Sequence, residues 1–259
     1  MGMETKILDR YGRFIPEIVT GEEVFEANSS YHLVQAKIDF AAVHARFVRL
    51  LPQHTFVSAD QFWQGSLELA ERLRKDARMA TLLNGAHLPV CFPQIDVEDY
   101  GATLEGVFFE AVGRAYVEAY PDRIFKNWLK GKLAGQVTIV DRTRHDRLLG
   151  AMHRGPAVGL WFPTPFQGFS IPADRVVITH LPEDILLCGG LEPAMGFVAY
   201  PEILGRDGMT PALDCAALEW QDPGYSLYFN AHDSSLDFGR RRLHASERCS
   251  GGVVVFWQP

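Results

Sequence analysis

Apolar positions in the first half of the chain recur every three to four residues, and in the second half they contract into short runs and alternations. The two periods predict helices first and strands after. Over residues 31–51, Val34, Ile38, Ala41, Ala45 and Val48 fall on one row and Leu33, Phe40 and Phe47 on another, while Gln35, Asp39, Arg46 and Arg49 face away. Asn28-Ser29-Ser30 supplies capping side chains before this helix and Pro52 stops it. A second helix starts at Ser58, with Gln61 at capping-box spacing and Val57 placed to staple onto Phe62. Its stripe is Phe62, Leu69, Ala70, Leu73, Ala77 and Ala80, and Asn84-Gly85 ends it. A third carries Leu104, Val107, Phe108, Ala111, Val112, Ala115 and Ala119 up to Pro121, and a short amphipathic helical piece is expected over Ile124–Leu129.

From Gln136 onward, Val137–Val140, Ala157–Phe162, Arg175–Thr179 and Ile185–Cys188 read as strands, with one more helix at Pro193–Leu204 broken or ended by Pro201. Leu218–Trp220, the turn Asp222-Pro223-Gly224 and Tyr225–Ala231 have hairpin patterning, and Leu236–Phe238 and Val253–Trp257 continue a meander. The expected fold class is therefore α+β: an N-terminal helical half, about 1–133, packed on a C-terminal, mostly antiparallel sheet, about 134–259, that ends in a β-meander. No repeat, low-complexity linker or long charge run divides the 259 residues, so one domain spanning 1–259 is expected, a division near 131–136 being the alternative.

Composition narrows the setting. No apolar run approaches a membrane span, the opening MGMETKILDR lacks the apolar core of a signal peptide, and a cytoplasmic protein is expected. Cys91, Cys188, Cys215 and Cys249 are too scattered for a zinc or dithiol motif, which leaves free thiols as the expectation. A net charge of −7 argues against broad nucleic-acid binding, which needs a cationic field over much of the surface.

That charge is unevenly placed. Residues 121–155 carry Arg123, Lys126, Lys130, Lys132, Arg142, Arg144, Arg147 and Arg154 against three acids, a net +5 where the remainder of the chain carries −12. Trp128, His145 and His153 lie among these cations, a mixture that suits a phosphate, a nucleotide or an acidic protein surface. Arg142, Arg144, His145, Arg147, His153, Arg154 and Lys37 are the candidate ligand-binding residues. Lys37 and His44 fall between the apolar rows of the first helix, where an ammonium or imidazole needs a partner.

Acid–base candidates are His44, His180, which lies three residues before Glu183, and Asp214. Two ligands three apart do not make a metal centre, and neither a metal nor a cofactor is expected. The run Gly189-Gly190-Leu191-Glu192-Pro193 reads as a glycine turn into a helix, which either presents free amides to an anion or is a plain tight turn. Arg240-Arg241-Arg242 suits discouragement of edge pairing. Nucleophile-elbow, zincin, dinucleotide, P-loop and calcium-loop motifs are all missing.

Three functional readings follow. The first is a binding protein that recognises an anionic small molecule or acidic protein surface through segment 123–154. The second is a hydrolase or group-transfer enzyme using His/Asp chemistry in a cleft between the halves. The third is an interaction protein that self-associates. The sequence leaves the oligomeric state open.

Overall fold

In the computed structural model, which describes residues 7–19, 21–25, 31 and 33–259, the first helix begins later than its periodicity predicts. Helix α1 (Phe40–Leu50) is capped by Asp39, whose carboxylate accepts from the Ala42 amide at 3.0 Å. Residues 33–39 precede it without regular structure, and the Asn28–Ser30 cap lies outside the described residues. The buried face is Val43, Phe47 and Leu50 rather than the row of small aliphatics, and Val34 and Val48 are 69% and 44% exposed. Phe47 and Leu50 each remove far more apolar area from water than an alanine does, so the larger side chains set the rotation of the helix. Lys37 is consequently exposed and outside the helix, not between its apolar rows.

Helix α2 (Ala59–Lys75) starts as expected, with Ser58 and Gln61 exchanging side-chain and backbone bonds and Phe62, Leu69 and Leu73 buried. It ends nine residues short of Asn84, since Asp76 caps it, and a 3₁₀ turn, Ala80–Asn84, follows. Strand β1 (Leu88–Phe92) was not foreseen. Helix α3 (Tyr100–Thr103) runs through a π turn (Leu104–Phe108) into α4 (Phe109–Ala119), burying Leu104, Phe108, Ala111, Val112 and Ala115.

The segment expected to form a short amphipathic helix is strand β2 (Ile124–Asn127). Its four residues are too few to hold a helix against pairing with a waiting strand edge. After β3 (Val137–Ile139) comes an unforeseen helix, α5 (His145–Arg154), whose stripe of His145, Leu148, Ala151 and Met152 is masked by basic neighbours. Strand β4 (Ala157–Phe162) matches expectation, but Arg175–Thr179 does not: Arg175–Ile178 belong to helix α6 (Ile171–Ile178) and Thr179 caps it. Ser170 caps the other end and Pro172 fills the first turn, start signals that outweigh a β-branched tail. Then follow β5 (Leu186–Leu187), α7 (Leu191–Ala199) and α8 (Pro201–Leu204), with Pro201 opening a new helix.

The remaining strands are β6 (Ala212–Asp214), β7 (Leu218–Trp220), β8 (Tyr225–Ala231), β9 (Ser235–Arg242), β10 (Cys249–Gly251) and β11 (Val253–Trp257). One sheet has the order β1-β4-β11-β5, all antiparallel, and another the order β10-β6-β8-β9-β2, with β10 and β2 joining in parallel. Strands β8 and β9 form the long hairpin, Tyr225 opposite Arg242 through Ala231 opposite Leu236. The expected pairing of β7 with β8 is replaced by β7 with β3, Trp220 opposite Val137. The architecture is α+β, with one continuous apolar cluster drawing Phe47, Phe62 and Phe108 from the helical half and Trp161, Phe229 and Val254 from the strand half. Among the described residues no helix is long and apolar enough to cross a membrane.

Candidate functional site

Two clusters of polar groups are sealed in the interior. In the first, the Tyr100 hydroxyl accepts the Gly190 and Leu191 amides at 2.8 and 3.2 Å and lies 2.9 Å from His145 Nε2. With two donors already on the oxygen, its own hydrogen goes to Nε2, which leaves the His145 Nδ1–H facing Glu192 Oε1. That contact, 3.2 Å, is in ion-pair range but poorly aligned for a hydrogen bond. The other Glu192 oxygen accepts from the Gly189 amide at 3.0 Å. The glycine turn and the start of α7 are therefore satisfied from within, and its amides are not offered to a ligand. Burial, and then the Glu192 charge, push Tyr100 well above an ordinary phenol.

In the second cluster, Asp214 on β6 accepts from Arg241 at 2.6 Å, and Asp174 on α6 has both carboxyl oxygens buried without a hydrogen-bond partner. Gly251 lies under Asp174 so closely that a Cβ there would stand 2.2 Å from Oδ2. Burial raises Asp214 to about 6 against the pull of Arg241, and burial followed by the Asp214 charge holds Asp174 well above the carboxylate range.

The acid–base candidates do not converge. His44, half-buried on α1, bonds the Val57 carbonyl at 2.7 Å; His180 is exposed after α6, where its carbonyl accepts from Arg78; Asp214 is sealed with Arg241. The candidate ligand-binding arginines are largely committed. Arg144 donates to the carbonyls of Leu181, Pro182 and Ile185, and Arg147 pairs with Glu183, so both staple the turn before β5. His145 is wholly buried, and His153 pairs with Asp96 at 3.2 Å. Arg142 and Arg154 are exposed, and no carboxylate pairs with either among the described residues. Arg142 and Arg144 both hold positive φ, 65° and 64°, which fixes the tight turn into α5.

Besides Arg142 and Arg154, further cations lie at the end of the five-stranded sheet, Lys126 on the face that carries Asp237 and Arg240 on the other face of β9. Along β2 and the residue after it, the exposed Ile124, the half-buried Lys126 and the exposed Trp128 alternate with Phe125 and Asn127, which are half-buried on the other face. Trp128 is 63% exposed, yet its position is fixed: its amide bonds Phe238, and its indole N–H donates to Asp237 at 3.0 Å. The Lys126 ammonium lies 5.9 Å from the indole centroid. Beyond Trp128 the turn carries Lys130 and Lys132, both exposed, between the buried anchors Leu129 and Leu133. The Lys132 carbonyl accepts from the indole N–H of Trp220, and the Arg240 guanidinium rests 4.7 Å from the Trp220 ring and 4.6 Å from that of Tyr225. Among the described residues, Lys126, Lys130, Lys132 and Arg240 have no carboxylate partner.

This corner is built from the π turn. Glu105, within that turn, accepts from Asn127 Nδ2 at 2.9 Å and from the Gly131 amide at 2.7 Å. Asp99, the cap of α3, accepts from Gly135 at 2.6 Å. Gly101 lets the Leu133 backbone approach so closely that a Cβ would stand 2.0 Å from its carbonyl oxygen. Gly131 takes the left-handed conformation at φ 73°. A larger surface concavity, about 560 Å³, adjoins it between α4 and β2, floored by Phe109, Val117, Ile124 and Phe125.

The fold divides the segment that sequence reasoning singled out: Arg144, His145, Arg147 and His153 are committed to internal partners, while Lys130 and Lys132 are exposed. Lys126, Trp128, Lys130 and Lys132 were legible as cations around an aromatic; His145, the Gly189–Pro193 turn, Asp214 and Arg240–Arg242 were noticed singly, but their meeting with Tyr100, Asp174, Trp220 and Tyr225 was not, because each cluster is assembled from distant elements. Against family models, curated proteins and solved structures, the chain finds no match.

Proposed function

We propose that the protein is a binding protein for an anionic ligand or partner, which it takes at the corner formed by Lys126, Lys130, Lys132 and Arg240. The observation that supports this reading is the division of labour among the cations: Arg144 and Arg147 are consumed by the fold, whereas Lys130 and Lys132 are exposed beside Trp128, and Lys126 and Arg240 lie against aromatic rings, which the equally exposed Arg142 and Arg154 do not among the described residues. Arg240 rests on Trp220 and Tyr225 and has no carboxylate partner among the described residues, and a guanidinium so placed suits a phosphate or carboxylate. Four free, buried thiols suit a reducing, cytoplasmic setting.

The test is calorimetric titration of the full chain with inorganic tripolyphosphate at low and at physiological ionic strength. Binding that weakens as salt rises, and that is lost when Lys126, Lys130, Lys132 and Arg240 are changed to Glu but kept when Arg142 and Arg154 are so changed, is expected. Equal loss from the Arg142/Arg154 pair, or no heat at low salt, would show the site to be elsewhere or absent.

A further inference from the structure

Among the cations of the corner stands a ring that a plain anion does not need. Trp128 exposes 63% of its surface and is nonetheless held at both ends, by its backbone bond to Phe238 and by its indole bond to Asp237. An exposed indole left free to rotate would lose entropy on binding; one pinned on a half-buried carboxylate has already lost it. Asp237 is itself half-buried on β9, and the oxygen that takes the indole N–H also lies 3.9 Å from His232 Nε2. The Lys126 ammonium, at 5.9 Å from the ring centroid, is at the outer limit of a cation–π contact and is free to reach a nearby anion without exposing a new apolar surface. Lys130 and Lys132 follow within one turn whose backbone is fixed by Glu105 and by the close approach at Gly101.

We infer that Trp128 is a stacking platform for the base of a nucleoside phosphate, whose phosphates are taken by Lys126, Lys130 and Lys132. The inference rests on the anion-binding reading and adds the ring to it. Every nucleobase has a flat face that stacks on indole, and the phosphates lie within the reach of flexible lysines on the same strand and turn. The same chemistry is offered by a free nucleotide and by a single-stranded nucleic acid.

The experiment titrates the full chain with adenosine triphosphate, inorganic tripolyphosphate and a short single-stranded oligonucleotide, read by calorimetry and by tryptophan fluorescence. Wild type is expected to bind adenosine triphosphate about tenfold more tightly than tripolyphosphate, with quenching. Trp128→Leu should erase the difference and the quench, and Trp128→Phe should restore part of the difference. Because Trp128 is largely exposed, both variants keep the fold, which circular dichroism checks. An oligonucleotide tighter than the nucleotide assigns the site to single strands, and the reverse assigns it to free nucleotides. Equal affinity for adenosine triphosphate and tripolyphosphate, still salt-sensitive and still lost on charge reversal, overturns the stacking role and leaves anion binding standing. Absence of binding by all three probes at low salt overturns both.

Discussion

Asp174 gives the sharpest quantitative handle on the interior. Its carboxyl is wholly buried, both oxygens lack partners, and the nearest charge that raises its proton affinity is another carboxylate, Asp214. The unfolded chain ionises this side chain near the ordinary carboxylate value, whereas the folded protein keeps the proton well above it. The native state thus binds more protons than the unfolded state across that window, and stability falls as pH rises through it, by about 1.4 kcal/mol for each pH unit over which Asp174 stays protonated. Asp174→Asn has nearly the same shape, carries no charge and makes no such demand. Urea denaturation followed by circular dichroism, run on both proteins from about pH 4 to pH 8, should show the variant equal or slightly less stable at the acid end. Its advantage should then widen by about 1.4 kcal/mol per pH unit until Asp174 itself ionises. A constant gap across the range, or a variant that loses ground as pH rises, would mean that Asp174 is ionised and paired in the folded protein, and the account of the cluster would be wrong.

Asp214→Asn should share the sign of Asp174→Asn: because burial raises Asp214 to about 6 even with Arg241 beside it, the variant should gain on the wild type by about 1.4 kcal/mol per pH unit from about pH 4 to about 6 and hold that gain above it, in the same assay. Tyr100→Phe strands the Gly190 and Leu191 amides and the His145 acceptor, a loss of about 2–3 kcal/mol in chemical denaturation. Gly101→Ala forces the Leu133 backbone away and should cost about 1–3 kcal/mol, with changed amide exchange in residues 128–135 by nuclear magnetic resonance. Ser58→Ala, which removes one half of a capping box at an exposed helix start, should cost about 1 kcal/mol in thermal denaturation.

What could be read from the sequence follows from how local each signal is. The α2 start depends on Ser58 and Gln61 three residues apart, and the structure repeats it to the residue. The rotation of α1 depends on which row the rest of the protein offers to cover, and Val48 was assigned to the wrong side because no local rule ranks two apolar rows. Segment 124–127 became a strand because β9 offers an edge, a non-local fact that overrides a short amphipathic pattern. The same reasoning accounts for the candidate site. A run of arginines reads as a patch, but Arg144 and Arg147 are absorbed by the turn at 181–185, nearly forty residues away in the chain. Arg240–Arg242, read as guarding an edge, lies on the half of β9 that pairs with β8 but extends beyond β2, so one side of that stretch is open, and its first two side chains are each recruited by a different partner.

The π turn ties the inner and outer polar systems together. Tyr100 and Glu105 are five residues apart, which on a regular helix turns the second side chain about 140° from the first. Tyr100 points into the core, where it closes the start of α7, and Glu105 reaches the Gly131 amide and Asn127, where it shapes the turn bearing Lys130 and Lys132. Between them Gly101 admits the Leu133 backbone, and just before them Asp99 takes the Gly135 amide. One helical segment therefore fixes both the buried Tyr100 cluster and the turn that bears Lys130 and Lys132. Because a π turn widens the helix and costs regular hydrogen bonding, it persists where surrounding contacts favour it; here those contacts are the ones that hold the corner in place. Glu105→Gln, which keeps both acceptor positions on one oxygen, should leave the corner intact. Glu105→Ala, which removes them, should weaken tripolyphosphate binding several-fold while the bulk fold, read by circular dichroism, is unchanged. If both variants bound alike, the turn would be held by Leu129 and Leu133 alone, and the link between the helix and the corner would be packing without a polar component.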